Sequence, residues 1–170
     1  MLFRSDGVDD YCSLPNSSTL SAGTGDFTFS SWIYPVYWNP SYWNALFVTA
    51  TTNGIWLGKN ITNQMVLRAY GVADYIQYST LPTINTWTNF TVTRIGTSAT
   101  MYYNSVSVAS STTSQNFTQN TTYIGSDGLA VGGAAYFVGR IANTLFYKGV
   151  GLTQSQVTQN YNALKGRFGL

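Results

Sequence analysis

Apolar and polar residues alternate with a period of two through most of this chain, and no other feature narrows its folding so far. In GDFTFSSWIYP (residues 25–35), Phe27, Phe29, Ser31 and Ile33 fall on one side of an extended chain, and Thr28, Ser30, Trp32 and Tyr34 on the other. In TWTNFTVTR (86–94), Phe90 and Val92 oppose Asn89, Thr91 and Thr93. Successive side chains of a strand point to opposite faces, so such runs are strands with one face on a core. ALFVTA, GIWLG, QMVLRAY, ATMYYN, VSVAS, TTYIG and YFVGRIANTLFY continue the pattern. Asn53-Gly54, Asp6-Gly7, Asp127-Gly128 and Pro82 supply the turn chemistry between runs. Many short strands at even spacing predict an all-β protein, a two-sheet antiparallel sandwich of jelly-roll type.

One short helix is predicted near the C-terminus. Thr153 caps it, with Gln156 three residues on in a capping-box pattern. Val157, Tyr161 and Leu164 then form an apolar stripe, and Gly166 is placed to end the helix in the left-handed conformation. A helix this short is stable only when docked on the sandwich. No repeat or linker interrupts the sequence, so residues 1–170 read as a single domain.

Composition limits the chemistry. The chain has no histidine and no glutamate, which removes the commonest general bases and zinc ligands. Glycoside hydrolysis needs a pair of carboxylates about 5–9.5 Å apart, whereas neighbouring Asp9 and Asp10 in a strand point to opposite faces. No Ser-x-x-Lys occurs, and GSDGLAVGG (125–133) lacks the ending of a phosphate loop and reads as a flexible connection. The expectation is a protein that is not an enzyme, with no catalytic residues, no cofactor and no metal. The single Cys12 reads as a buried small hydrophobe.

Charged residues are only 8% of the chain and the net charge is +2, with no basic run, so neither nucleic acid nor membrane is expected as a partner. Asp6, Asp9 and Asp10 gather in the first turn, where a structural calcium competes with a simpler reading in which Asp6 caps nearby amides. The N-x-S/T sites at Asn16, Asn60, Asn89, Asn116 and Asn120 are read as unglycosylated. No signal peptide is visible, which places folding in a cytoplasm.

The densest feature is YPVYWNPSYWN (34–44). Its prolines should break the strand and leave part of the segment as loop. Tyr37, Trp38, Tyr42 and Trp43 are the candidate binding residues, suited to stacking on sugar rings or to anchoring a protein contact. A loop that packs on its own domain accounts for them equally well. Tyr75 and Tyr78 in DYIQYS form a weaker second candidate, and Trp87 is expected in the core.

Taken in order, these segments resemble the laminin-G-like branch of the concanavalin-A-like superfamily. LFRSDGVDDYCSLP is similar to that family's first hairpin and GDFTFSSWIYP to its Asp-Phe-Thr strand. TWTNFTVTR with MYYNSVSV resembles its Trp-led strand and following hairpin, and TTYIGSDG and FVGRIANTLFYKGVGLTQSQVTQNY its closing strands and helix. Two departures stand out. Ser105 replaces the usual turn glycine after Asn104, implying a different or strained turn, and Asn143 stands where many relatives carry aspartate, which weakens the case for calcium there. The ending NYNALKGRFGL resembles laminin-G-like modules of structural proteins in tailed bacteriophages.

The resemblance implies a non-enzymatic virion structural protein, decorating or cementing a capsid or associated with a tail. Its partners would be other capsid or tail proteins, with assembly in the host cytoplasm. The alternative is a lectin that binds polysaccharide, including host-surface glycans.

Overall fold

The computed structural model describes residues 2–16, 18–128 and 135–170. Twelve strands form in the described residues. They are β1 (Leu2–Ser5), β2 (Cys12–Leu14), β3 (Phe27–Tyr37), β4 (Asn44–Val48), β5 (Ile55–Lys59) and β6 (Met65–Ala69), followed by β7 (Ala73–Tyr78), β8 (Thr88–Ile95), β9 (Ser98–Tyr103), β10 (Val106–Thr112), β11 (Thr122–Ile124) and β12 (Val138–Lys148). They make two antiparallel six-stranded sheets, sheet A in the order β1-β12-β3-β8-β9-β10 and sheet B in the order β2-β11-β4-β5-β6-β7. The predicted sandwich is what the chain forms. Residues 129–134, the centre of the glycine-rich connection, lie outside the described residues.

The alternation sets the core. Phe27, Phe29 and Ile33 of β3, Phe90 and Val92 of β8 and Met101 of β9 face Phe47, Leu57, Leu67 and Ile76 of sheet B. Phe29 and Phe47 meet across the sheets with ring centres 4.7 Å apart. Each such ring contributes about 1.5–3 kcal/mol by leaving water.

The same parity buries two cations. Lys59 continues the inward series Ile55 and Leu57, and Arg94 continues Phe90 and Val92; both are fully buried. Arg94 donates to the carbonyls of Gly23 (2.9 Å), Gly25 (2.9 Å) and Gln115 (2.8 Å), tying three loop carbonyls to the end of the core. Burial lowers its pKa, and the three acceptors replace the water it has lost.

The face of sheet A turned away from sheet B is covered rather than wet. Thr28, Ser30, Asn89, Thr91 and Thr93 are buried there. The Ser30 and Thr91 hydroxyls bond each other at 2.9 Å, and Thr28 Oγ1 donates to the Val150 carbonyl and accepts from the Leu152 amide. Helix α1 (Gln154–Leu164) supplies the cover, with Val157 packed beside Tyr102 and Leu152. Its predicted capping box forms, the Gln156 side chain accepting from the Thr153 amide at 2.9 Å. The predicted end does not. The α-helix passes at Leu164 directly into a 3-10 turn, Lys165–Phe168, which contains Gly166, and Gly169 at φ 78° takes the left-handed position. The extra turn brings Phe168 onto Trp32, centres 4.1 Å apart and nearly parallel, with Tyr161 stacked on the same indole. That apolar contact outweighs the stop signal at Gly166.

Pro35 does not break β3, which runs on to Tyr37. The pairing with β12 shifts between Val138 and Gly139, so the proline sits at a bulge where no ladder donor is needed. Its carbonyl still accepts from the Asn85 amide at 2.7 Å. Gly139 permits the close approach, since a Cβ there would lie 2.2 Å from the Tyr34 carbonyl oxygen. Cys12 is half-exposed on the edge strand β2, not buried, because β2 has a neighbour on one side only. The Asn104-Ser105 turn keeps left-handed geometry at both residues, φ 49° and 65°, so serine carries the strain that a glycine would relieve.

Candidate functional site

The four aromatic residues singled out from YPVYWNPSYWN part company in the structure. Trp38 belongs to the core at 9% exposure. Its ring meets Phe137 edge-on at 5.6 Å and its indole N–H donates to the Pro82 carbonyl at 2.8 Å. It is therefore not a free contact residue. Tyr37 and Tyr42 are 50% and 57% exposed, the first just before and the second within a loop, residues 38–43, that polar groups lock. The buried Lys59 ammonium donates to the Tyr42 carbonyl at 2.9 Å and to that of Asn39. The Asn39 amide donates to Asn44 Oδ1, and Asn44 Nδ2 donates to the Tyr136 carbonyl. Burial lowers the Lys59 pKa.

Trp43 turns onto the face of sheet B that points away from sheet A. Met65, Leu67 and Ile76 face inward, leaving Trp56, Val66 and Arg68 on the outer face. There Trp56 and Val66 join Ala45, Val48 and Ala135 in a small apolar cluster on which Trp43 and Tyr70 rest. Trp43 stands edge-on to Trp56 with centres 5.0 Å apart. The Arg68 guanidinium lies over the Trp43 ring at 4.7 Å and pairs with Asp74 at 2.9 Å. A register shift in the β6–β7 pairing sets Asp74 directly opposite Arg68.

The turn between β5 and β6 completes the wall. Asn60 Oδ1 accepts from the amides of Thr62 (3.0 Å) and Gln64 (2.9 Å), fixing a turn in which Asn63 is left-handed at φ 59°. The result is a cleft of about 490 Å3 bounded by Trp43, Asn60, Gln64, Arg68, Asp74 and Gln77. It offers one flat apolar ring, one balanced ion pair and three amides. Indole faces bury the C–H face of a flat ligand, and the Arg–Asp pair and amides donate to and accept from hydroxyls. Asp74 is the one carboxylate in the cleft, and Arg68 holds it as an ion pair.

The other marked residues lie apart from this cleft. Tyr75 donates to Gln115 Oε1 at 2.8 Å in a separate polar groove, and Tyr78 packs edge-on to Tyr103. Trp87, expected in the core, is only half-buried, tilted against Tyr34 and Phe168; the fully buried indoles are Trp32 and Trp56. The Asp6, Asp9 and Asp10 oxygens converge within 4.8 Å and are the described residues able to share a metal ion. The turn reading accounts for two of them: Asp6 Oδ1 accepts from the Val8 amide at 2.8 Å, and Asp10 Oδ2 from the Asp6 amide at 3.1 Å. Reading the sequence missed Arg68, Asp74 and the amides. The outward parity of Trp56, Val66 and Arg68 was the available signal, but pairing Arg68 with Asp74 requires the register.

The sequence profile of the concanavalin A-like lectin/glucanases superfamily, in its laminin G form, matches residues 6–158. The chain belongs to this family. No curated protein sequence matches it. Among solved structures, a candidate carbohydrate-binding protein from Bacteroides ovatus superposes with a TM-score of 0.73 at 15% identity, over 93% of this chain and 46% of that one. Domain 4 of an extracellular arabinanase from Geobacillus stearothermophilus, solved in complex with arabinotriose, gives 0.66 at 20% identity, over 86% and 70%. A heptameric pentraxin from Limulus polyphemus gives 0.66 at 16%, over 92% and 79%. At these identities the likeness is one of fold, and the chain spans under half the length of the Bacteroides protein.

Proposed function

We propose that this domain is a non-catalytic glycan-binding module whose contact surface is the Trp43 cleft on the outer face of sheet B. The observation that carries the reading is Trp43 itself, edge-on to Trp56 and in contact with Arg68, lining a cleft with hydroxyl-matching amides. The Arg68–Asp74 pair is balanced, so the cleft suits a neutral saccharide. The arabinotriose complex of a similar domain supports the same class of ligand. The non-catalytic part of the proposal is supported by the single, ion-paired carboxylate in the cleft, since glycoside hydrolysis uses two.

A glycan array followed by calorimetry tests it. Binding to neutral oligosaccharides is expected, with Trp43→Ala and Gln77→Ala each weakening it by roughly tenfold or more, and Tyr37→Ala leaving it unchanged. Unchanged affinity in Trp43→Ala, or no saccharide bound at millimolar concentration, would refute the assignment.

We also propose that the module is part of a bacteriophage virion. The C-terminal NYNALKGRFGL supports this. So do Tyr37 and Tyr42, exposed beside and within a polar-locked loop that loses little entropy on docking. These tyrosines would face the capsid or tail while the cleft stays free. Mass spectrometry of purified virions that finds no copies of this chain would rule that role out.

A further inference from the structure

The chain places four of its eight basic residues, Arg4, Arg140, Lys165 and Arg167, on or beside the outer face of sheet A, on the opposite side of the sandwich from the Trp43 cleft. Phe3 and Ile141 face the core, so Leu2, Arg4, Arg140 and Ala142 all point outward. Arg4 and Arg140 are direct cross-strand partners in the β1–β12 register. Like charges directly opposite in a sheet repel. Neither Arg4 nor Arg140 forms an ion pair among the described residues. Arg140 lies over the Tyr34 ring at 4.9 Å, which aims its guanidinium along the surface.

Next to this pair is a second cleft, of about 340 Å3, lined by Leu2, Trp87, Ala142, Asn143, Arg167 and Phe168. Leu2 and Ala142 sit two residues from Arg4 and Arg140 on the same face, or roughly 7 Å along the strands. The C-terminal 3-10 turn closes the cleft by stacking Phe168 on Trp32 and tilting it against Trp87, which also brings in Arg167. Half-buried Trp87 supplies an aromatic wall, and Asn143, held left-handed at φ 52° in the β12 irregularity, an amide. The volume lies near the lower end for small-molecule clefts.

We infer that this is a second binding site, for an acidic polysaccharide: one sugar ring packs against Trp87, and its carboxylate or sulfate engages Arg167 and the Arg4–Arg140 pair. An anion bridging the two arginines removes the repulsion that the free protein carries, and guanidinium groups match both anions in geometry. The patch is a compact cluster around one cleft. A nucleic-acid strand instead needs a positive groove that follows its backbone. The inference stands independently of the Trp43 cleft, which lies on the other sheet and is charge-balanced.

The test is binding of the intact chain to immobilised polygalacturonate, dextran sulfate, neutral dextran, polyglutamate and double-stranded DNA, at low and at moderate salt. Retention on polygalacturonate or dextran sulfate above neutral dextran is expected, weakened by salt, and the tighter of the two identifies the anion. Arg140→Gln combined with Arg167→Gln should weaken it by roughly tenfold or more, with the melting temperature kept. Lys148→Gln, which removes a charge at the far end of β12, should leave it intact. Four results would overturn the inference: no preference over neutral dextran, equal or tighter binding to polyglutamate or DNA, equal loss in Lys148→Gln, or indifference to the arginine substitutions.

Discussion

Trp38→Ala separates a core tryptophan from a contact residue. From the sequence alone, Trp38 belongs with Tyr37, Tyr42 and Trp43 as a contact residue, and its truncation should leave the melting temperature nearly unchanged. The structure reverses that expectation. The indole is 9% exposed, packs on Phe137, and donates at 2.8 Å to the carbonyl of Pro82, which is itself buried. Truncating a core tryptophan costs about 3–5 kcal/mol, and a buried carbonyl left without its donor adds to this unless water reaches it. With about 4 kcal/mol as a working figure, a domain of this size should melt roughly 8–16 °C lower. Trp38→Phe keeps a ring against Phe137 but loses the N–H, and should fall between wild type and alanine. Tyr42→Ala is the control, because Lys59 holds the Tyr42 carbonyl and not its side chain; its cost should stay within about 0.5 kcal/mol. Thermal unfolding followed by circular dichroism, with urea titration alongside, reads all three. A Trp38→Ala melting point within roughly 3 °C of wild type would refute the argument that the indole is part of the core.

Other outcomes follow from the same structure. Ser105→Gly should stabilise the domain by about 0.5 kcal/mol, since relief of about 1–2 kcal/mol of left-handed strain exceeds the roughly 0.4–1 kcal/mol gained by the unfolded chain in entropy. The Gln154 side chain bonds the Ser105 carbonyl and survives the change, so a lower urea midpoint would show that the turn is unstrained. Alkaline conditions should weaken the fold. Burial first, then the Asp127 charge, pushes Tyr70 up to about 12, and burial together with Tyr78 raises Tyr103. Above pH ~10 the unfolded chain releases tyrosine protons that the folded chain retains, so stability falls as pH rises. Lys59, lowered by burial, acts in the opposite sense but only below about pH 10.5, where the unfolded lysine still holds its proton. Urea midpoints taken from pH ~10.5 to ~12 should therefore decline, less steeply in Tyr103→Phe, and a flat profile would contradict the burial argument.

Local pattern in the sequence determined the strands, the sandwich and the capped helix, because alternation and capping depend on residues within a few positions of one another. The structure shows the same parity turning Lys59 and Arg94 inward, two cations that composition alone would assign to the surface. Tertiary structure decided everything that depends on a distant partner. Trp38 is core because Pro82, 44 residues away, accepts its N–H. Pro35 stays in β3 because β3 bulges at Val36, next to it, in its pairing with β12. A 3-10 turn carries the chain past Gly166 because Phe168 finds Trp32. Trp43 becomes part of a cleft only because strand register sets Arg68 against Asp74. A sequence carries the period of its strands but not the register between them, and register determines which side chains meet.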